Sequence, residues 1–269
     1  MKKVGVADAE AGAKSIVEEL VKIDEKSKDK VKSKTLYFMS PMELATIAKE
    51  YKDTKDAKKA LKRIDSKILK DAADIAIFGR MVASDHSLTV EAAGMFSHAI
   101  STHRVDNEID FFAAVDDLQT ADESGAGMTG TLEFNSATYY RFAALNLDML
   151  ADEHHLASMS QDERKAVVKS FIEATIKAVP SARKNSMNGN TLPNYVLGIV
   201  REKGHPVQLI NAFENPLTPK KGYVEESIRL LQEENKKLIS TWGIEPVFEK
   251  AIPEIGLNGF LGEILTHVI

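Results

Sequence analysis

The sequence predicts an α+β fold, in which helices and strands mix without regular alternation. Two capping signals, Ser40-Pro41-Met42-Glu43 and Ser160-Gln161-Asp162-Glu163, each mark the start of a helix. Between those two helices lie segments that alternate in polarity or are rich in Thr, Phe and Tyr, which is typical of strands. Because no strict strand–helix repeat is visible, α+β is the favoured class.

The composition is that of an ordinary globular protein. Of the 269 residues, 43% are apolar and 28% are charged, and there is no cysteine, which excludes disulfides, thiol chemistry and thiolate zinc sites. No apolar run approaches the ~20 residues that a membrane helix needs, and the first residues lack a signal peptide's apolar core. We therefore expect a cytoplasmic protein with no membrane partner.

Helical periodicity dominates the first part of the chain. Residues 1–23 predict a helix, and the polar, cationic residues 24–34 predict a solvated linker. Thr35–Met39 is a short apolar run that suggests a strand before the helix capped by Ser40. A further amphipathic helix with a lysine-rich outer face is predicted over about Lys55–Ala73.

The stretch Asp74–Leu147 is the part that we expect to carry the function. It opens with the short apolar run Asp74–Phe78, which Gly79 stops, and Met95–His103 then alternates as a strand does. Val105–Gly130 is an acidic insertion, and Thr131–Leu147 reads as one long strand. The pattern predicts a flat sheet that carries an extended arm.

The rest of the chain alternates helices and strands around one basic loop. The helix that begins after Ser160 ends before Pro180, and the loop SARKNSMNGNTLP follows. Tyr195–Val200 and Val207–Ile210 are predicted strands, and Val224–Trp242 is a predicted long helix.

No group of residues forms a recognisable catalytic site. His98 and His103 would lie on opposite faces of a strand, and His154-His155 lacks the spacing of metal ligands. The sequence contains no phosphate-binding loop, dinucleotide-binding fingerprint or nucleophile elbow. We therefore expect neither enzymatic activity nor a cofactor. A metal-dependent nuclease is the remaining catalytic alternative, and divalent-metal-dependent cleavage of RNA would reveal it.

Side chains suited to single-stranded nucleic acid lie in the central stretch and in the basic loop. Such strands are held by groups that follow the phosphates and by side chains that stack on bases or wedge between them. The net charge of −5 argues mildly against such a partner, although a local basic patch can hide within it. The candidate RNA-binding residues are Arg80, Met81, Phe111, Phe112, Arg183, Lys184 and Asn185.

Five of these candidates have a structural alternative. Phe111 and Phe112 can instead form a hydrophobic cluster under the loop with Val105, Ile109, Val115 and Leu118, and Met81 can fill the core. Arg183 and Lys184 also suit the charge preference of a helix C-terminus.

Three segments carry a resemblance to a known family, namely DIAIFGRMVAS, HAISTHRVDNEIDFFAAVDDLQ and GTLEFNSATYYRFAALNLDML. They closely resemble the backbone subunit of the type I-E CRISPR surveillance complex Cascade, the CasC family. The match runs from about Asp71 to Asn215 and includes AVPSARKNSM and NAFE. The helical N-terminal part and the C-terminus match only loosely.

This resemblance implies a hand-like protein with an RRM-like (ferredoxin-like) palm. The palm would be residues 93–104 and 131–269, the helical fingers residues 1–92 and the thumb residues 105–130. Copies of such a subunit stack head to tail along the CRISPR RNA, together with other Cascade subunits, and present the guide to target DNA in antiviral defence.

The resemblance also implies roles for individual residues. Phe112 of the thumb and Met81 at the base of the fingers would bracket a kinked guide nucleotide, with Phe111 adjacent, and Arg183–Ser186 matches a guide-contacting position. The family has no catalytic role, because a separate nuclease cleaves the target. Carboxylates of the thumb would lie against a basic face of the next subunit.

One departure from the family pattern is visible at the N-terminus. Family members begin with a palm strand and a Ser/Lys/Arg-rich segment that holds guide phosphates, and Met1 falls after both. The resemblance thus implies a chain that lacks the family's N-terminal segment and binds the guide less tightly. The alternative is a self-associating scaffold fragment that no longer binds RNA, and salt-dependent RNA binding that falls with Phe112→Ala would separate the two.

Overall fold

The computed structural model describes residues 1–21, 37–62, 72–82, 86–114, 128–181, 184–219 and 221–269. The chain divides into two compact units. Unit 1 comprises Met1–Phe96, Ala143–Gly198 and Lys250–Ile269, and unit 2 comprises Ser97–Phe142 and Ile199–Glu249. Both helices and small sheets are present, so the predicted α+β class is confirmed.

Regular structure in the described residues consists of helices and two-stranded sheets. The helices are α1 (Ala9–Leu20), α2 (Pro41–Thr54), α3 (Ala57–Leu61), α4 (Ala73–Phe78), α5 (Leu147–Leu150), α6 (Gln161–Lys177), α7 (Val224–Trp242) and α8 (Leu257–Ile264). The strands are β1 (Gly94–Phe96), β2 (Ile100–Ser101), β3 (Glu108–Ala114), β4 (Met128–Phe134), β5 (Tyr139–Tyr140), β6 (Ala143–Leu145), β7 (Val196–Val200) and β8 (Phe248–Ile252). The strands pair as β1–β6, β2–β5, β3–β4 and β7–β8.

Both predicted capping boxes are confirmed. Glu43 N–H donates to Ser40 Oγ at 3.1 Å, and Ser40 N–H donates to Glu43 Oε2 at 2.8 Å. Ser160 and Glu163 make the same reciprocal pair at the start of α6. Each box satisfies backbone N–H groups that the first turn of a helix leaves without carbonyl partners. The prediction of a helix over Val224–Trp242 is confirmed at both ends.

The short apolar run Asp74–Phe78 forms most of helix α4. Three successive side chains, Ile75 to Ile77, are buried. A short apolar run is equally compatible with a buried strand and a buried helix, so its pattern alone cannot decide between them. Gly79 ends the helix with φ 73°, and its N–H donates to Ile75 O at 2.8 Å.

The segment Thr131–Leu147 was predicted as one long strand, and this prediction is wrong. It contains the end of β4, then β5, which pairs with β2, and β6, which pairs with β1. Met95–His103 is divided in the same way between β1 and β2. Asn146 then caps α5, since its side chain accepts from Met149 N–H at 3.0 Å. The β-rich composition was read correctly, but turns between the strands were missed.

Of the remaining predicted elements, some are confirmed, some are not observed and some lie outside the described residues. The strand predicted at Tyr195–Val200 is confirmed as β7, whereas Val207–Ile210 is irregular and leads into a 3-10 turn. Residues 37–39 form no strand, and Thr35 and Leu36 lie outside the described residues. So does the predicted linker, residues 24–34. Of the helix predicted over about Lys55–Ala73, the described part shows only α3 and the first residue of α4.

Unit 1 has two main clusters of buried apolar residues. The first joins α4, β1, α5, α6 and the C-terminus through Ala76, Ile77, Ala93, Leu150, Leu156, Val168 and Val268. The second joins α1, α2 and α3 to the segment after Arg80 through Ile16, Ile47, Ala60, Val82 and Leu88. Residues 80–82 are thus anchored by buried neighbours on both sides.

Unit 2 is tied together by polar and aromatic contacts next to its short strands. Ser227 of α7 donates to Thr102 Oγ1 at 2.9 Å, and both side chains are buried. The ring of His103 stacks on Tyr223 with centroids 3.8 Å apart. These contacts hold the start of α7 against the chain segment from which the β3–β4 ribbon begins.

Candidate nucleic-acid interface

Arg80 is held by its backbone and by its side chain. Its main chain forms a bridge with Val90, in which each N–H donates to the other residue's carbonyl at 2.8 Å. Its guanidinium donates to Glu43 Oε2 at 2.8 Å, to Leu88 O at 2.9 Å and to Phe38 O at 3.2 Å. Only 7% of the residue is exposed. The cation therefore joins the start of α2 to residues 80–88.

The ion pair between Arg80 and Glu43 is buried on both sides, with side-chain exposures of 4% and 0%. Within the described part of the chain, Arg80 Nη2 and Glu43 Oε1 are buried without a hydrogen-bond partner. A charge neutralised by a buried carboxylate is poorly placed to attract a phosphate. The predicted direct contact between Arg80 and RNA stays a prediction, and the observed role of Arg80 is to support the segment before Met81.

Met81 points out of the fold. It is 86% exposed, although it lies between the buried residues Arg80 and Val82. Met81 therefore does not fill the core, contrary to the structural alternative. A flexible, polarisable apolar side chain is presented to solvent from a fixed backbone.

Phe111 and Phe112 lie on a two-stranded antiparallel ribbon formed by β3 and β4. Because neighbouring side chains of a strand point to opposite faces, the two rings face opposite ways. Phe111 shares its face with Ile109, and both residues are 67% exposed. Phe112 is half-buried, because its ring covers Gly130 across the ribbon.

Gly130 is the residue that makes room for the ring of Phe112. A Cβ at position 130 would lie 2.8 Å from Phe112 Cζ, which is closer than packed carbons approach. The predicted cluster under the loop does not enclose Ile109 or Phe111, while Val115 and Leu118 lie outside the described residues.

The ribbon is acidic as well as apolar. Glu108, Asp110 and Glu133 are exposed along it. At its root, Arg104 Nε lies 3.4 Å from Asp106 Oδ1 in an exposed ion pair. Such a surface suits apolar contacts and cationic partners better than phosphates.

The basic loop is exposed where the structure describes it. Lys184 and Asn185 are exposed and belong to a turn in which Asn188 N–H donates to Lys184 O at 3.1 Å. Asn188 has φ 38°, a conformation that Asn tolerates better than most residues. Arg183 lies outside the described residues.

His155 has structural partners on both of its ring nitrogens. His155 is buried, with Nδ1 2.7 Å from Asp152 Oδ1 and Nε2 2.8 Å from Glu91 O. Partial burial by itself would raise the pKa of Asp152, but hydrogen bonds from His155 and from His154 N–H outweigh it and lower that pKa. Among the residues that the structure describes, no group of three or more His, Asp or Glu side chains is arranged to hold a metal ion.

The predicted site residues fall in both units. Arg80, Met81, Lys184 and Asn185 belong to unit 1, whereas the two phenylalanines belong to unit 2. Sequence reasoning missed the pairing of Glu43 with Arg80, because the capping box already explained that carboxylate and the two residues are 37 positions apart. It also did not single out the exposed Phe78 and Phe96, because the sequence pattern alone does not show which apolar side chains stay exposed.

None of the helices in the described ranges has the length and apolar character needed to cross a membrane.

Comparisons with known proteins bear on the whole chain. A chain described as "CRISPR RNA-guided surveillance complex, pre-nicking" has a TM-score of 0.77 and 24% identity, covering 96% of this chain and 77% of that chain, which shows a shared fold. A second, described as "CRISPR RNA-guided surveillance complex", has a TM-score of 0.64 and 26% identity, covering 74% of this chain and 79% of that chain. No curated protein matches. The family model described as "CT1975-like protein" matches residues 1–255, and the chain therefore belongs to the CT1975-like protein family.

Proposed function

We propose that this protein is a structural subunit of a CRISPR RNA-guided surveillance complex and binds the guide RNA. The observation that carries the proposal is the 86% exposure of Met81 on a backbone fixed by Arg80, Glu43 and Val90. An exposed apolar side chain on a rigid support is suited to wedge between bases, because the backbone that carries it needs no rearrangement on binding. The likeness to two chains of surveillance complexes supports the same reading.

The β3–β4 ribbon supplies the second element of the proposed RNA contact. Phe112 rests on Gly130, and Phe111 is free to contact a partner on the opposite face. We propose that Phe112 and Met81 bracket a nucleotide of the guide, with Phe111 beside them. Lys184 and Asn185, together with Arg183, would contact the guide from the basic loop.

The finer architecture is part of the proposal. Residues 1–92 would form the fingers, residues 93–104 and 131–269 an RRM-like palm, and residues 105–130 the thumb. Copies would polymerise along the guide of a type I-E complex and present it, with the other subunits, to target DNA. The subunit itself would cleave nothing.

RNA binding by single-site variants tests the proposal. Stacking or wedging contributes about 1–3 kcal/mol per base, so Met81→Ala or Phe112→Ala should weaken binding of a CRISPR RNA about 5- to 150-fold in fluorescence anisotropy. Leu44→Ala and Trp242→Ala remove other exposed apolar side chains and should bind as the wild type does.

The ionic-strength dependence provides a second measurement. If phosphates are contacted, the logarithm of the affinity falls linearly with the logarithm of salt concentration. Wild-type protein that binds no RNA at low salt, or cleaves RNA in the presence of a divalent metal, would contradict the proposal.

A self-associating scaffold that binds no RNA is the second candidate. The observation that favours it is the exposed apolar pair Ile109 and Phe111 on an acidic ribbon. Size-exclusion chromatography with and without CRISPR RNA separates the two functions, because only the scaffold would assemble to the same size in both.

A further inference from the structure

Unit 1 exposes an aromatic surface close to Met81 in sequence. The rings of Phe78 and Phe96 are stacked with centroids 5.7 Å apart and planes inclined by 19°. Phe171 contacts Phe96 edge-on at 5.8 Å. Phe171 is half-buried, whereas Phe78 is 65% and Phe96 53% exposed. The three rings therefore form one contiguous aromatic cluster, in which Phe78 and Phe96 are the exposed members.

The backbone holds this aromatic cluster in place. Phe78 is the last residue of α4, whose preceding turn is buried. Ala93 N–H donates to Ala76 O at 3.0 Å and joins α4 to the segment before β1. Gly94 allows the close approach, since a Cβ there would lie 2.8 Å from Ile77 O. Phe78 and Phe96 are thus brought together by packed elements and need no rearrangement to receive a ligand.

We propose that Phe78 and Phe96 form a base-stacking platform for single-stranded RNA. The inference rests on the proposed function and extends it from one wedge at Met81 to a second contact on the same unit. A stacked pair of rings has the geometry that a further flat ring continues, and every nucleobase offers such a face.

The distance along the chain suits a single strand. Phe78 and Met81 are three positions apart in the sequence, so their Cα atoms lie at most about 11 Å apart. Stacked bases rise about 3.4 Å per nucleotide along a strand. An RNA strand with Met81 wedged between two of its bases would therefore reach Phe78 within a few nucleotides.

The exposed area favours a base over a protein partner. A large aromatic side chain buries about 150–250 Å². At exposures of 65% and 53% the two rings together offer roughly 250 Å². A stable protein interface needs about 800 Å² from each partner, whereas one base needs only a ring face.

Two variants of Phe78 test the platform in the full-length protein. Phe78→Leu keeps an apolar side chain but removes the ring, and should weaken binding of a single-stranded CRISPR RNA about 5- to 150-fold. Phe78→Trp keeps a stacking face and should bind within about twofold of the wild type.

The tryptophan variant also reports stacking directly. The chain has one tryptophan, the exposed Trp242, so Trp242→Phe provides a background without tryptophan emission. In that background, a base that stacks on Phe78→Trp should quench its fluorescence. An RNA of the same length built from abasic nucleotides should not quench this fluorescence, even at concentrations raised to offset its weaker binding.

The outcomes separate this inference from the function on which it rests. If Met81→Ala weakens RNA binding but Phe78→Leu does not, and Phe78→Trp shows no quenching, the platform is refuted and the proposed function stands. If Phe78→Leu changes only self-association in sedimentation, the surface is a protein contact and the inference is wrong. Wild-type protein that binds no RNA refutes both. If Phe78→Leu fails to fold, quenching of Phe78→Trp decides the question.

Discussion

At the scale of single residues, Arg80 and Met81 show how neighbours in sequence take opposite roles. The Arg80 guanidinium is buried against Glu43, while Met81 beside it stands in solvent. Burying two charges costs several kcal/mol per ion, and mutual attraction offsets this only while both partners are present. The pair is therefore best understood as a device that fixes one conformation of residues 80–82.

Removing the carboxylate tests this role. Glu43→Ala should lower the free energy of unfolding by about 3–5 kcal/mol, because it leaves the Arg80 cation buried without its counter-charge. Chemical denaturation followed by circular dichroism measures the change. Asp53→Ala, at an exposed position of the same helix, should stay within about 0.5 kcal/mol of the wild type. If the two substitutions lowered the free energy of unfolding equally, the ion pair between Arg80 and Glu43 would not be what fixes residues 80–82.

At the scale of elements, the end of α4 depends on a glycine. Gly79 has φ 73°, and a Cβ there would lie 2.9 Å from Val90 O and 3.0 Å from Ala92 N. Backbone atoms cannot swing aside as a side chain can, so the contact and the left-handed φ both oppose any larger residue. This glycine permits the bridge between Arg80 and Val90 that follows it.

Alanine at two glycines should therefore have opposite effects. Gly79→Ala should destabilise the protein by about 1–3 kcal/mol through strain. Gly262 lies in α8, and no neighbouring atom of the described residues comes within 4 Å of its Cβ position, so Gly262→Ala should stabilise by about 0.5–1 kcal/mol through helix propensity. Thermal denaturation of both variants compares them, and a stabilising Gly79→Ala would show that α4 ends differently.

The start of α6 gives a pH-dependent prediction. The Ser160 backbone N–H and hydroxyl donate to the Glu163 carboxylate and lower its pKa. A carboxylate with a lowered folded-state pKa stabilises the fold above its unfolded pKa of about 4.3, and this contribution is lost as the pH falls through the folded pKa.

Glu163→Gln should accordingly be less stable than the wild type at pH 7, and the difference should shrink at pH values below the folded-state pKa. Urea denaturation at several pH values measures it. Glu254→Gln removes an exposed carboxylate elsewhere and should show no such trend. A difference between wild type and Glu163→Gln that does not change with pH would contradict the explanation.

At the scale of the whole molecule, the charge distribution constrains how RNA can be bound. The net charge is −5, and the ribbon adds exposed carboxylates close to its aromatic rings. Apolar stacking is less sensitive to this charge than phosphate contacts are. Under the proposed function, the exposed carboxylates of the ribbon would face a cationic surface on another copy of the chain.

Neutralising two carboxylates of the ribbon and its root tests whether they contact another copy of the chain. Asp106→Asn with Asp110→Asn should weaken RNA-driven self-assembly, because the attraction between copies is reduced. Light scattering on RNAs of increasing length would show smaller increments of mass than for the wild type. The matched pair Asp53→Asn with Glu254→Gln changes the net charge equally and should assemble normally. Unchanged assembly of the ribbon variant would remove the proposed contact.

Local signals account for the parts of the fold that sequence reasoning placed well. The capping boxes at Ser40 and Ser160 and the periodicity of Val224–Trp242 each involve residues within a few turns of one another. Capping hydrogen bonds and apolar stripes of this kind can be recognised from residues that are close together in the sequence. For the same reason, the candidate residues Met81, Phe111 and Phe112 could be named from chemistry and resemblance alone.

The sequence by itself determined the α+β class, the capped helices and the side chains available for stacking. Only the tertiary structure decided that Asp74–Phe78 is a helix, that Arg80 is buried while Met81 is exposed, and that Phe112 lies on Gly130. Exposure depends on which distant residues pack nearby, such as Glu43 against Arg80. A local pattern of polar and apolar residues carries no information about such partners, because they come from far along the chain.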